Sequence, residues 1–157
     1  KTKENESSAS IGKFVFGTDG KGEKNLYTSR SATKNPADVE WLKQFTSIPG
    51  GMTRGRLVMN SPQIFLFALR NVPILINQVL EKHNLEKDNI DYFILHQANG
   101  QMLEFLRKRM KIPKEKFIIN IENVGNTVSA TIPIALSQLL KEKKLRKVIK
   151  FWLLVLE

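Results

Sequence analysis

Apolar and polar positions along this chain switch between two periods. From Asn60 onward Ile64, Phe65, Ala68, Leu69, Val72, Leu75, Ile76, Val79 and Leu80 recur at three- and four-residue steps, the spacing of an amphipathic helix. Asn60 or Ser61 can cap its start and Pro62 suits its first turn, so a helix is predicted over 61–82. The breadth of the stripe predicts burial on more than one side, and Pro73 inside it predicts a kink. Tyr92-Phe93-Ile94-Leu95 then forms a short continuous apolar run, the mark of a strand covered on both faces. Met102, Leu103, Phe105, Leu106 and Met110 return to the helical period over 101–110, with Arg107, Lys108 and Lys111 opposite. The unit repeats in "KFIINIENVGNTVSATIPIALSQLLKEKK": a strand, a turn at Gly125, and a helix over 129–140 that must start just before Pro133. Upstream, Lys13–Phe16 reads as a strand and Gly17, Gly20 and Gly22 as a surface turn. A short helix starts near Pro36 and is stopped by Pro49-Gly50-Gly51, within a segment, 32–53, that reads as an insertion. Strand–helix alternation predicts an α/β fold: a largely parallel sheet with helices on both faces. A single domain is expected across 1–157.

The charge changes this picture less than its size suggests. A net charge of +10 would suit a phosphate backbone. The lysines, however, are interleaved with glutamates ("EKHNLEKDN", "KIPKEKF", "LLKEKKLRK") and lack aromatic neighbours that would stack bases. They read as solvated helix faces, so no nucleic-acid partner is expected, and His83 in the first of these stretches is expected to be solvated. No uninterrupted run of 18 apolar residues predicts a membrane span, and no membrane partner is expected. The chain has no cysteine, which excludes disulfides, thiolate metal sites and a cysteine nucleophile on this chain and fits a reducing, cytoplasmic setting. No metal site is expected.

In open α/β sheets, sites form where the chain leaves the carboxyl ends of strands. His96 directly follows the Tyr92–Leu95 run, and Asn126 lies after the next strand. On pattern alone His96 reads equally as a hydrogen-bonded structural histidine or as a site residue.

The segments "HQANGQML" and "GNTVSATIPIAL", with thirty residues from His96 to Asn126, resemble the two motifs in the carboxyl-terminal half of the β-ketoacyl-acyl-carrier-protein (ACP) synthase III family, of thiolase-like fold. "GRLVMNSPQIFLFALRNVPILINQVL" is similar to that family's long helix. The resemblance implies one half of a thiolase-like fold, a mixed, mostly parallel sheet of about five strands with helices on both faces, and a role in fatty-acid biosynthesis. His96 and Asn126 would stabilise the enolate formed when malonyl-ACP loses carbon dioxide and condenses with an acyl group. Gln97, Ala98, Asn99 and Gly125 would support the motifs. Coenzyme A and ACP thioesters would be substrates, with no covalently bound cofactor. Gln101 stands where the family often has an arginine at the mouth of its substrate tunnel, and Pro62 where some members have an asparagine. Gln101, Arg107, Lys108, Arg109 and Lys111 are candidate contacts for coenzyme A or for an acidic carrier protein. The family's nucleophilic cysteine belongs to an amino-terminal half. This chain alone is therefore expected to be inactive, to need that half as a partner, and to self-associate through helix faces the half would cover. The alternative is a cysteine-free partner subunit or binding module without catalysis of its own.

The tail "KVIKFWLLVLE" departs from the resemblance. One G inserted after the Lys147 codon would regroup the codons into a reading compatible with G-D-K-V-L-V-x-G-F-G, close to the family's last strand and Gly-rich loop. Val148–Glu157 is therefore expected to be an out-of-frame tail that keeps high strand propensity.

Overall fold

The computed structural model describes residues 12–28, 57–142 and 151–154. The predicted helix near Pro36, all of the 32–53 insertion and much of the tail lie outside these residues. The chain divides into two compact units, one of residues 18–67 and one of 1–17 with 68–157.

In the first unit, Asp19 opens a 3-10 turn, Gly20–Asn25, by accepting a hydrogen bond from the Lys21 N–H at 3.0 Å. The glycine-rich stretch is thus a turn, as its composition predicts. It leads into β1 (Leu26–Thr28), which pairs antiparallel with β2 (Leu57–Met59), Tyr27 opposite Val58. These three-residue strands are too short to show a period in sequence. Helix α1 (Ser61–Lys82) starts at the end of this unit. Asn60 caps it: its carbonyl accepts from Ile64 N–H at 3.0 Å, and its Oδ1 faces Gln63 N at 3.4 Å.

The second unit holds a parallel sheet in the order β4-β3-β5, formed by β3 (Tyr92–Leu95), β4 (Phe117–Ile118) and β5 (Phe151–Leu154). Period-2 alternation along β3 splits the core in two. Phe93 and Leu95 pack on one face with Ala68, Val72, Ile76 and Leu80 of α1 and with Leu103 and Leu106 of α2 (Gly100–Arg109). Ile94 packs on the other with Ile132, Ala135 and Leu139 of α4 (Thr131–Lys141). A four-residue helix, α3 (Ile121–Val124), bridges β4 and α4.

The α/β layering with helices on both faces matches the sequence expectation. The strand count does not: the described residues form three parallel strands and a separate two-stranded ribbon rather than one sheet of five. Lys13–Phe16 is not a strand. Its carbonyls are taken by side chains instead, Phe14 O accepting from Lys82 Nζ at 2.7 Å and Lys13 O lying 3.0 Å from His83 Nε2. His83 is accordingly half-buried rather than solvated.

The buried residues of α1 fall at every fourth position, Ala68, Val72, Ile76 and Leu80, and Leu66 and Ile74 remain 55% and 52% exposed. Leu140 of α4 and Phe105 of α2 are also exposed; α1 and α4 are the two helices whose apolar faces the resemblance predicts to lie partly uncovered. By length and composition α1 could cross a bilayer, its apolar window having a mean hydropathy of 1.4. Its buried stripe is core, and Arg70, Asn71, Asn77 and Gln78 interrupt its surface.

Candidate active site

The carboxyl ends of β3 and β4 are joined by one buried side chain. Gln97 has no solvent exposure. Its Nε2 donates to Leu95 O at 2.8 Å and Ile118 O at 3.1 Å, and its Oε1 accepts from Asn120 N–H at 3.0 Å. The amide therefore spans two adjacent strand ends and satisfies main-chain groups that leave the sheet ladder there. Asn120 extends the clamp, its Nδ2 donating to Gln138 Oε1 of α4 at 2.6 Å. Asn99 caps α2, its Oδ1 accepting from Gln101 N at 2.9 Å and Met102 N at 3.2 Å. Between them, Ala98 N–H donates to His96 O at 3.0 Å. The backbone on either side of His96 is thus fixed.

The His96 ring follows the strand alternation and turns toward α4, where its Nδ1 lies 2.8 Å from Thr131 Oγ1. Thr131, fully buried, also donates that hydroxyl to Val128 O at 2.9 Å. Asn126 enters the same turn from the other side: its Oδ1 accepts from Val128 N–H at 2.9 Å, an orientation that leaves Nδ2 as the donor. Gly125 ends α3 at φ 70°, its N–H donating to Ile121 O at 2.8 Å. Val128 has φ 53°, a left-handed conformation that is strained for a β-branched residue. One tight turn, 125–131, therefore orients Asn126 directly and His96 through Thr131. The Oδ1 of Asn120 and the Oγ1 of Thr127 are buried with no hydrogen-bond partner among the described residues.

Thr131, Asn120 and Val128 were not singled out from sequence. Asn120 carries a usable signal, as a polar residue just past a strand end. Thr131 does not, because nothing in a period reveals a side-chain bond spanning 35 residues.

The basic candidates are placed differently from one another. Arg107 is engaged in its own helix: Nε and Nη2 grip the Glu104 carboxylate at 2.9 and 2.6 Å, and Nη1 donates to Ile112 O at 2.9 Å. This pairing holds the Glu104 carboxyl below the usual carboxylate range and the Arg107 guanidinium above its own. Gln101, Lys108, Arg109 and Lys111 are exposed. Other lysines close main-chain carbonyls, Lys116 those of Asp88 and Ile90 and Lys87 that of Met110. No cluster of metal-ligating side chains is present among the described residues. A shallow groove of about 510 Å³ at the exit of α1, lined by Asn77, Leu80, Glu81 and Asn84–Lys87, includes none of the motif residues.

The family model described as 3-oxoacyl-[acyl-carrier-protein] synthase III, C terminal, matches residues 80–154, a span containing both motifs and the sheet. Over that span the chain belongs to the 3-oxoacyl-ACP synthase III family. The β-ketoacyl-ACP synthase III of Porphyra umbilicalis is 40% identical over 133 residues, which is 85% of this chain and 39% of that protein. A crystal structure of a 3-oxoacyl-ACP synthase III superposes with a TM-score of 0.79 at 36% identity, covering 90% of this chain and 42% of the other. The β-ketoacyl-ACP synthase III of Thermus thermophilus gives a TM-score of 0.72 at 32% identity, covering 89% and 40%. The chain thus spans about two fifths of the length of the relatives it matches. The match runs through β5, so the first part of the divergent tail still lies within the synthase III domain.

Proposed function

We propose that this chain is the carboxyl-terminal part of a 3-oxoacyl-ACP synthase III acting in fatty-acid biosynthesis, and that His96 and Asn126 stabilise the enolate in its condensation step. In that step the bond between the malonyl α-carbon and its carboxylate breaks and carbon dioxide leaves. The electron pair passes to the thioester oxygen as an enolate. The enolate carbon then attacks an acyl group held on a cysteine, and the thiolate departs. Two neutral donors, His96 Nε2–H and Asn126 Nδ2–H, stabilise the developing oxyanion without adding a charge that must be desolvated.

The observation that carries this reading is the shared turn. Asn126 is locked with its amide oxygen inward on Val128 N–H, and the same residue's carbonyl holds the hydroxyl that contacts His96. Both side chains are therefore preorganised by one piece of backbone. The acylated cysteine comes from the half this cysteine-free chain does not supply. Coenzyme A and ACP thioesters are the substrates, and no bound cofactor takes part. Lys108, Arg109 and Lys111 offer an exposed cationic edge for an acidic carrier protein, with Arg107 holding the helix end instead.

The test is reconstitution. Joined to the cysteine-bearing half of a family member, the chain should support condensation of acetyl-coenzyme A with malonyl-ACP, and either half alone should not. The absence of cysteine favours one other reading, a binding subunit. That reading predicts capture of carrier protein without condensation in the joined protein.

A further inference from the structure

The Thr131 hydroxyl has one proton and two neighbours that compete for it. Its Oγ1 lies 2.9 Å from Val128 O and 2.8 Å from His96 Nδ1. A carbonyl can only accept, so the bond to Val128 uses the hydroxyl proton. The bond to His96 must then run the other way, from Nδ1–H into an Oγ1 lone pair. A neutral imidazole carries a single proton, which leaves Nε2 as an acceptor. The enolate role proposed above needs Nε2 as a donor. Rotation of the hydroxyl supplies it: with O–H aimed at Nδ1, that nitrogen accepts and the ring proton resides on Nε2. Val128 O is not orphaned by the turn, because it keeps the Thr131 backbone N–H.

We propose that Thr131 is a positioning residue that sets the tautomer of His96. Its hydroxyl holds the Nδ1–H form in the free chain and turns about the Cβ–Oγ1 bond to favour the Nε2–H form when a carbonyl occupies the site. In the exchange Nδ1 releases one proton to solvent and Nε2 takes one up, so the ring charge is unchanged; the Nδ1–Oγ1 hydrogen bond is kept with its direction reversed, and the hydroxyl gives up its bond to Val128 O. The strained Val128 conformation, φ 53°, places the carbonyl where it can hold the hydroxyl in the first position. The resting tautomer stands on the hydrogen-bond geometry alone, and only the turn rests on the enolate reading.

Nitrogen-15 NMR of the histidine side chains tests this on the 157-residue chain itself. It has two histidines, so His83→Gln assigns His96. With the ring titrated to its neutral plateau, His96 Nδ1 should show a pyrrole-type shift and Nε2 a pyridine-type shift, the reverse of the preference of free histidine. Thr131→Val, similar in shape but without the hydroxyl, should move the ring to the Nε2–H form. Thr131→Ser should restore the original pattern, with the His83 signals unchanged throughout. A wild-type His96 in the Nε2–H form, or an unchanged tautomer in Thr131→Val, overturns the proposal. If the valine variant does not fold, the wild-type spectrum still decides. Failure of the enolate reading would appear separately, as undiminished malonyl decarboxylation in a reconstituted His96→Ala enzyme.

Discussion

Replacing Gln97 by leucine removes three hydrogen bonds at once from a side chain with no solvent exposure. The two side chains are close in volume, so the packing cost is small. The polar groups left behind dominate. Asn120 N–H becomes a buried donor without a partner, at about 2 kcal/mol, and the Leu95 and Ile118 carbonyls lose one acceptor bond each, at about 1 kcal/mol apiece. The total, about 4 kcal/mol, is a large fraction of the ~5–15 kcal/mol that typically holds a domain together. With a urea m-value of about 2 kcal/mol/M, the midpoint should fall by about 2 M. Equilibrium unfolding followed by far-ultraviolet circular dichroism reads this directly, and native-state hydrogen exchange should show lost protection at the Asn120 amide. A midpoint within about 0.5 M of wild type, with the Asn120 amide still protected, would refute the claim that Gln97 clamps the two strand ends.

The remaining predictions test other parts of the account. Val128→Gly should relieve a conformational cost of about 1–3 kcal/mol at φ 53°. After the entropic cost of glycine the net stabilisation should be about 1 kcal/mol, a rise in Tm of about 2–4 °C, and a lower Tm would contradict the strain. Because Arg107 lowers the folded-state pKa of Glu104, the pair's stabilisation is complete above the ordinary glutamate pKa. It is lost as the pH falls through the lowered value, so a carbon-13 titration should place the Glu104 midpoint below that of an ordinary glutamate. Glu104→Gln should flatten that part of the acid limb in urea-unfolding measurements. Ile74 and Leu140, 52% and 57% exposed, should support self-association that Ile74→Glu and Leu140→Lys weaken. Analytical ultracentrifugation showing a strict monomer at high concentration would count against it.

How much was legible in the sequence depended on the range of the interaction. Helix α1 is readable at both ends because its cap at Asn60 and its stripe from Ala68 to Leu80 are local features. The strand Tyr92–Leu95 and the helices after it follow from period and from the positions of Gly125 and Pro133. Lys13–Phe16 has a strand-like pattern yet forms none, because a strand needs a partner and the carbonyls here meet Lys82 and His83 instead. The β1–β2 ribbon escaped for the converse reason: pairing rather than pattern makes it. At the candidate site, the motif residues could be named because they recur as words of sequence, whereas the bond from His96 to Thr131 exists only once β3 and α4 lie side by side. The engagement of Arg107 with Glu104 three positions earlier was, in contrast, within reach of helical spacing.

The central claim is that His96 and Asn126 act on the malonyl half of a condensation and leave the acyl-loading half to residues elsewhere. In the enzyme reconstituted with a cysteine-bearing half, the two half-reactions can be timed separately, acyl transfer from coenzyme A to the cysteine and carbon dioxide release from malonyl-ACP. His96→Ala and Asn126→Ala should each slow carbon dioxide release by about 10²–10³-fold while acyl loading stays within a few-fold of wild type. Equal losses in both half-reactions, or undiminished carbon dioxide release, would contradict the assignment.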